Sequence, residues 1–197
     1  MAFMPEPYLL LLALAAYGQQ DGIAIIKSFT DERDGKKYKT VVIGEQTWMA
    51  ENLNYNAIGS RCYDNKPLNC YEYGRLYNWA TATAACPKGW HLPTEAEWEA
   101  LTATVGGSST EGKYLKATSG WNDDGNGEDA YGFFALPGGY GYSGGKFDSV
   151  GNYGYWWSSS ENDDNDAAIR NMNYDGEDAY WDYYSKSFLC SVRCLQD

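Results

Sequence analysis

Between Asn162 and Tyr184 the chain is dominated by asparagine, aspartate and tyrosine. These side chains suit binding better than catalysis. Tyrosine offers rigid contact area with little entropy to lose, and Asn and Asp offer adaptable hydrogen bonds, the mixture used by antibody paratopes. Asn171, Asn173, Asp175, Asp178, Tyr180, Asp182, Tyr183 and Tyr184 are therefore the expected ligand-binding residues. The competing expectation is a solvated strand face with its Tyr and Trp rings packed into the core. Asn, Asp and Tyr are also codon neighbours, reached from an Asn codon by changing adenines.

A second candidate is the acidic stretch Asn122-Asp-Asp-Gly-Asn-Gly-Glu-Asp129. Asn122, Asp124, Asn126 and Gly127 fall at positions one, three, five and six of a calcium loop, and Glu128 adds a carboxylate. Phe133 stands at position twelve, where a bidentate Glu belongs. The stretch reads either as a structural calcium site with Asn122, Asp124, Asn126 and Glu128 as ligands, or as a plain acidic turn. His91 has no second histidine with which to share a metal, and reads as a hydrogen-bonded structural residue. Glu95, Glu97 and Glu99 read as a solvated helix start.

The five cysteines include no CxxC pair, which argues for an oxidised framework over zinc. Pairing Cys62 with Cys70 and Cys86 with Cys194 leaves Cys190 free, although sequence alone leaves the connectivity open. The second bridge closes a loop of about a hundred residues, worth on the order of 4–5 kcal/mol in the chain-entropy model. Export is also expected from residues 1–22, whose apolar run Tyr8 to Ala16 has signal-peptide length and small residues near its end. Glu6 precedes the run where a basic residue belongs, and Tyr17 stands where a lipoprotein leader carries its cysteine. The alternative is a short buried or partner-binding helix in a chain that is never cleaved, and any membrane contact is expected only through this segment.

Residues 23–197 have the length of one domain with a substantial core. With 8 Trp, 18 Tyr and 22 Gly, that core must be aromatic and the chain rich in turns. A formal charge of −12 without a basic stripe excludes nucleic acid as a partner. Strands are expected over 23–29, 38–43 and 47–50, with a charged hairpin turn over 30–37. Asn52 to Leu68 reads as loop, and Tyr73 to Ala85 has helical spacing. Thr94 caps a second helix, Glu97 completes a capping box, and Gly106-Gly107 stops it. Strands over 131–137, 153–158, 167–172, 179–184 and 189–193 complete an antiparallel set. The order of elements makes the class α+β.

Phe29-Thr-Asp-Glu-Arg-Asp-Gly-Lys-Lys-Tyr-Lys-Thr40, Gln46-Thr-Trp-Met-Ala-Glu-Asn-Leu-Asn54, Tyr73-Gly-Arg-Leu-Tyr-Asn-Trp79, Cys86-Pro-Lys-Gly-Trp-His-Leu-Pro93 and Ser191-Val-Arg-Cys194 occur in that order. Together they resemble the Fibrobacter succinogenes major paralogous domain, from about Ser28 to Asp197. The resemblance implies an exported bacterial domain near the C-type-lectin-like fold, which also includes sulfatase-modifying oxidases and variable proteins of diversity-generating retroelements. Similar domains tend to end Gly-Phe-Ser-Val-Arg-Cys, whereas Leu189-Cys190 precede Ser191 here.

The expectation is a non-enzymatic recognition module displaying its Asn/Asp/Tyr surface to an extracellular protein or glycan, with retroelement diversification as one form. A calcium-dependent lectin stacking sugars on Trp156, Trp157 and Trp181 is the alternative, with a surface adhesin subunit beside it. Leu92-Pro-Thr-Glu-Ala-Glu-Trp98 resembles the oxidases, but Cys190 and Cys194 do not match their reactive pair.

Overall fold

A computed structural model describes residues 26–107 and 109–197, so the apolar segment expected at 1–22 lies outside the described residues. The charged turn is built on Asp31, which is buried. Its carboxylate accepts the Arg33 backbone N–H at 3.0 Å and pairs with the Arg33 guanidinium at 2.7 Å. This closes β1 (Ile26–Thr30) against β2 (Lys37–Ile43), and β3 (Gln46–Met49) returns beside β2. Two short strands, β5 (Trp90–His91) and β12 (Leu195–Gln196), finish a five-stranded sheet in the order β1-β2-β3-β12-β5. The C-terminal segment is thus a structural member of the first sheet.

The second sheet centres on a meander of β8 (Tyr153–Glu161), β9 (Asp166–Asn173) and β10 (Ala179–Ser185). It continues through β11 (Cys190–Ser191) to β4 (Leu76–Tyr77), leaving β10 as an edge. The hairpin of β6 (Gly138–Gly141) and β7 (Phe147–Val150) attaches through β6. The antiparallel expectation holds for the meander, but β11 and β6 each join β8 in parallel. Both are short segments arriving through long connections, which is what parallel pairing requires.

Among the helices, α3 (Glu95–Val105) follows its local signals. Thr94 and Glu97 form the reciprocal capping box, Trp98, Leu101 and Val105 are buried, and Gly106 stops it. The helix expected over 73–85 is instead α1 (Pro67–Tyr73), strand β4 and α2 (Trp79–Ala82). Gly74 ends α1 at φ 78°, and Leu76 and Tyr77 are recruited by β11. Asn78 then caps α2 through the Thr81 N–H at 2.9 Å. A further short helix, α4 (Glu111–Leu115), lies in the stretch expected to be turns. The strand expected over 131–137 survives only as a bridge between Lys116 and Ala135, because Phe134 takes φ 56°. Four α-helices and twelve strands in two sheets make the class α+β among the described residues.

The tryptophans supply the core. Trp48, Trp98, Phe133 and Trp156 pack together under α3, and Trp157 joins Tyr38, Tyr77 and Val192 in a second cluster. Between them lies Arg193, 1% exposed. Its guanidinium donates to Asn52 Oδ1 at 2.7 and 3.1 Å and to the carbonyls of Met49, Phe133 and Phe134. Asn52 Oδ1 also receives Trp156 Nε1 at 2.8 Å. Both expected disulfides are present, Cys62–Cys70 and Cys86–Cys194, and Cys190 is free and buried.

Candidate functional site

Alternate residues of a strand point to opposite faces, and cross-strand partners share a face. In the meander, Tyr155, Asn171 and Tyr180 form one row, Trp157, Ile169 and Asp182 the next, with Ala167 opposite Tyr184 on the same face. The other face carries Trp156, Arg170 and Trp181, with Ala168 opposite Tyr183. The expected binding residues are therefore divided between two faces and a turn.

Tyr180 is 45% exposed and donates to Asp178 Oδ2 at 2.6 Å; Tyr183 is 47% exposed. Asp182 is exposed and accepts the Tyr183 backbone N–H at 2.8 Å, which occupies part of the sheet edge with a charged group. Asn171 is the main correction: it is 8% exposed, in the central strand of the meander with Tyr155 and Tyr180 on either side of it in its row. Asn173 closes the β9–β10 turn by accepting the Asp175 N–H at 2.8 Å, so its oxygen is already used. Asp175 is exposed on that turn. Tyr184 is half-buried, its ring centroid 5.5 Å from Tyr155 and 5.4 Å from Phe188.

Tyr184 belongs to an aromatic layer that sequence reasoning missed. Tyr140 packs on Tyr142, Tyr155 and Phe188, and Tyr153 stacks on Tyr155. Tyr140 and Tyr142 join their hydroxyls at 2.7 Å. Burial, then neighbouring tyrosine hydroxyls, push the phenols of Tyr140 and Tyr155 well above their ordinary range. The alternation Gly139-Tyr140-Gly141-Tyr142 was the available signal, a period of two marking a strand with one aromatic face. Trp156 and Trp157 are fully buried, donating to Asn52 and the Tyr77 carbonyl, so neither can stack on a sugar.

The sequence model of the Fibrobacter succinogenes major domain matches residues 41–196. The chain belongs to this family. No curated protein and no solved structure matches it. In this Fibrobacter succinogenes major domain, the Ser-Val-Arg-Cys motif supplies β11, the buried Arg193 and one half of the long-range disulfide. The Trp-His-Leu-Pro motif supplies β5, which pairs with β12. Two disulfides fit an extracellular or otherwise oxidising environment. Among the described residues, no helix is long and apolar enough to cross a membrane.

The domain also uses its acidic stretch in an unexpected way. Asn126 Oδ1 accepts the Trp121 backbone N–H at 3.1 Å, Asn122 donates to Asn152 at 2.9 Å, and Glu128 pairs with Lys113 at 3.2 Å. Asp124 is exposed in a left-handed turn at φ 60°. Asn122, Asn126 and Glu128 thus each have a partner within the fold, and no group of three His, Cys, Asp or Glu is placed to hold a metal ion among the described residues. Instead the loop buttresses the β9–β10 turn. A side chain at Gly125 would collide with the Tyr174 carbonyl, and one at Gly112 with the Asp178 carbonyl. Buried Lys116 donates to the carbonyls of Asn173 and Gly176 at 3.1 and 2.9 Å. The turn bearing Asp175 and Asp178 is therefore pinned from beneath.

The opposite face has its own support. Arg170 stacks 4.2 Å from the Trp181 ring and pairs with Glu99 at 2.8 Å, while Trp181 Nε1 donates to the same carboxylate. Glu99 is thus part of the β10 support, a correction to the solvated helix start. His91 is hydrogen-bonded at both ring nitrogens, with Nδ1 2.7 Å from Asp197 and Nε2 2.9 Å from Glu97.

Proposed function

We propose that the domain is an exported, C-type-lectin-like recognition module that binds an extracellular protein along β10. One observation carries this reading: Tyr180 and Tyr183 are each about half exposed on opposite faces of an edge strand whose neighbours are fully packed. Such a ridge suits a partner that can wrap a convex surface. The strand that carries the rings is held by Lys116 at the β9–β10 turn and by Arg170 stacked on Trp181, which lowers the entropy its backbone loses on binding. Asp175, Asp178 and Asp182 add hydrogen-bond acceptors around them. The two-sheet α+β layout with a disulfide-tied C-terminal strand supports the lectin-like architecture.

The reading is of binding, without catalysis. The Cys190 thiol is fully buried and burial pushes its pKa up, while Cys194 is held in a disulfide. Oxidase chemistry at these two sulfurs would begin without an accessible thiolate.

The test compares the wild-type domain with a Tyr180→Ser/Tyr183→Ser double variant as immobilised baits for extracellular protein fractions. A specific partner should bind the wild type and lose affinity by about tenfold or more in the variant. Equal capture by both would remove the β10 reading. Retroelement diversification makes a separate genomic prediction: a neighbouring reverse transcriptase gene and a template repeat that differs at adenines in the codons of residues 162–184.

A further inference from the structure

A cavity of about 300 Å³ lies between the start of β2, residues 51–54, the C-terminal half of α1 and the segment bearing Phe134, and no residue of the β8–β10 meander lines it. Its volume is at the lower end of the range for small-molecule sites. Two aromatic residues distinguish its wall. Phe134 is held at φ 56°, a conformation that a bulky L-residue rarely takes. Its N–H donates to Asp129 at 2.7 Å and its carbonyl accepts from Arg193 at 3.3 Å, so neighbours on both sides impose the strain. The consequence is a ring left 38% exposed at the cavity, while the adjacent Phe133 is fully buried. Strain maintained in this way characteristically marks sites of function. Tyr71 is 89% exposed on α1, and its neighbour Cys70 is locked to Cys62. The disulfide anchors the backbone beneath it, and both faces of the ring are open.

The polar groups are of both kinds and are largely unspent. The Lys37 ammonium and the Asn54 carboxamide make no hydrogen bond among the described residues, whereas Lys36 is committed to Asp34 and the Asn54 carbonyl. Glu51 uses Oε2 to accept the Lys39 N–H at 2.7 Å, leaving Oε1, and the exposed Glu72 carboxylate accepts the Tyr73 hydroxyl. Asn52, by contrast, is consumed beneath the floor by Arg193, Trp156 and the Tyr73 carbonyl.

We infer that this cavity binds the end of a neutral carbohydrate chain. A sugar ring presents C–H faces that pack on aromatic side chains and hydroxyls that each donate and accept. Tyr71 and Phe134 fit the first requirement; Lys37, Asn54, Glu51 and Glu72 fit the second. A simple anion would meet Glu51 and Glu72, a simple cation would meet Lys36 and Lys37, and an apolar ligand would strand the free polar groups.

Saturation-transfer NMR on the full chain tests this with cellobiose, lactose and N,N′-diacetylchitobiose, and with diglycine as the zwitterionic competitor. At least one disaccharide should receive saturation, and the signal should fall about tenfold in Tyr71→Ala. That residue is exposed, so the variant should keep the wild-type melting temperature. The Tyr180→Ser/Tyr183→Ser variant should retain the signal, which separates this site from the β10 surface. No transfer to any of the three sugars overturns the proposal. So does transfer that survives both Tyr71→Ala and Glu72→Gln, or transfer to diglycine alone.

Discussion

Two arginines are almost completely buried in this domain, and they are held in opposite ways. Arg193 is 1% exposed and Arg170 is 3% exposed, and each lies against an aromatic ring, Phe133 at 4.5 Å and Trp181 at 4.2 Å. Among the described residues Arg193 has no carboxylate partner. Carbonyls and Asn52 surround it, so it ties three distant segments of backbone together. Burial pulls its pKa down to about 9, still above neutrality, so it remains a cation at neutral pH. Arg170 leans on Glu99, whose side chain is 54% exposed, and its own Nε has no partner. The difference teaches a division of labour. A cation satisfied by backbone fixes the frame; a cation satisfied by a half-exposed carboxylate supports a displayed ring.

Arg193→Met should have the largest effect. It strands the carbonyls of Met49, Phe133 and Phe134 inside the protein, at a cost of about 3–5 kcal/mol. Against a typical stability of roughly 5–15 kcal/mol, urea unfolding should find little folded protein left to spare. A loss below about 1 kcal/mol would dissolve the distinction between the two arginines. Arg170→Met should cost less, about 1–3 kcal/mol, because Glu99 can turn to water and only the Ala179 carbonyl is stranded. Raising NaCl to about 0.5 M should narrow the gap between wild type and Arg170→Met, since the pair is partly screened. The Arg193→Met gap should not respond, and a matching salt dependence would remove the contrast.

Which of these features could be read in the sequence depends on how far apart the interacting residues lie. The capping box needs Thr94 and Glu97 alone, and it forms as expected. The helix over 73–85 fails because Leu76 and Tyr77 pair with Cys190 and Ser191, a contact more than a hundred residues away. Arg193 meets Asn52 at a separation of 141 residues, which no local pattern reveals. The binding residues were legible in type but not in direction. Strand alternation already implies that Tyr183 and Tyr184 face opposite ways. What it could not supply is that neighbouring rings cover Tyr184, since Tyr140 and Phe188 come from other elements.

Two tryptophans sharpen the contrast at smaller scale. Trp98 and Trp156 are both fully buried beside each other, with ring centroids 6.5 Å apart. Trp156 Nε1 feeds the Arg193 network through Asn52, whereas Trp98 Nε1 has no hydrogen-bond partner among the described residues. Replacing each by Phe removes the same volume, so the difference reports the hydrogen bond. Trp156→Phe should be the less stable by about 1 kcal/mol in chemical denaturation. Equal losses would mean that the Asn52 node adds little beyond packing.

The mildest effect concerns a third cation, on the exposed side of the C-terminal strand that Arg193 introduces. Burial lowers the His91 pKa, but hydrogen bonds to Asp197 and Glu97 and their charges outweigh it, leaving the value above its ordinary 6.5. Burial raises Glu97, and its bonds to Thr94 and His91 overcome that and leave it below 4.5. A raised histidine adds stability that is complete below its unfolded pKa and lost as pH rises through the folded one. A depressed carboxylate adds stability above its unfolded pKa that is lost as pH falls. Both contributions therefore operate together between about pH 4.5 and about pH 6.5. His91 and Glu97 are each about one-third exposed, which limits the effect to a few tenths, about 0.5 kcal/mol at most. Melting temperatures measured from about pH 5 to about pH 8.5 should fall more steeply for wild type than for His91→Gln. Parallel slopes would show that the imidazole carries no charge in the fold, leaving Arg193 as the cation that matters on this strand.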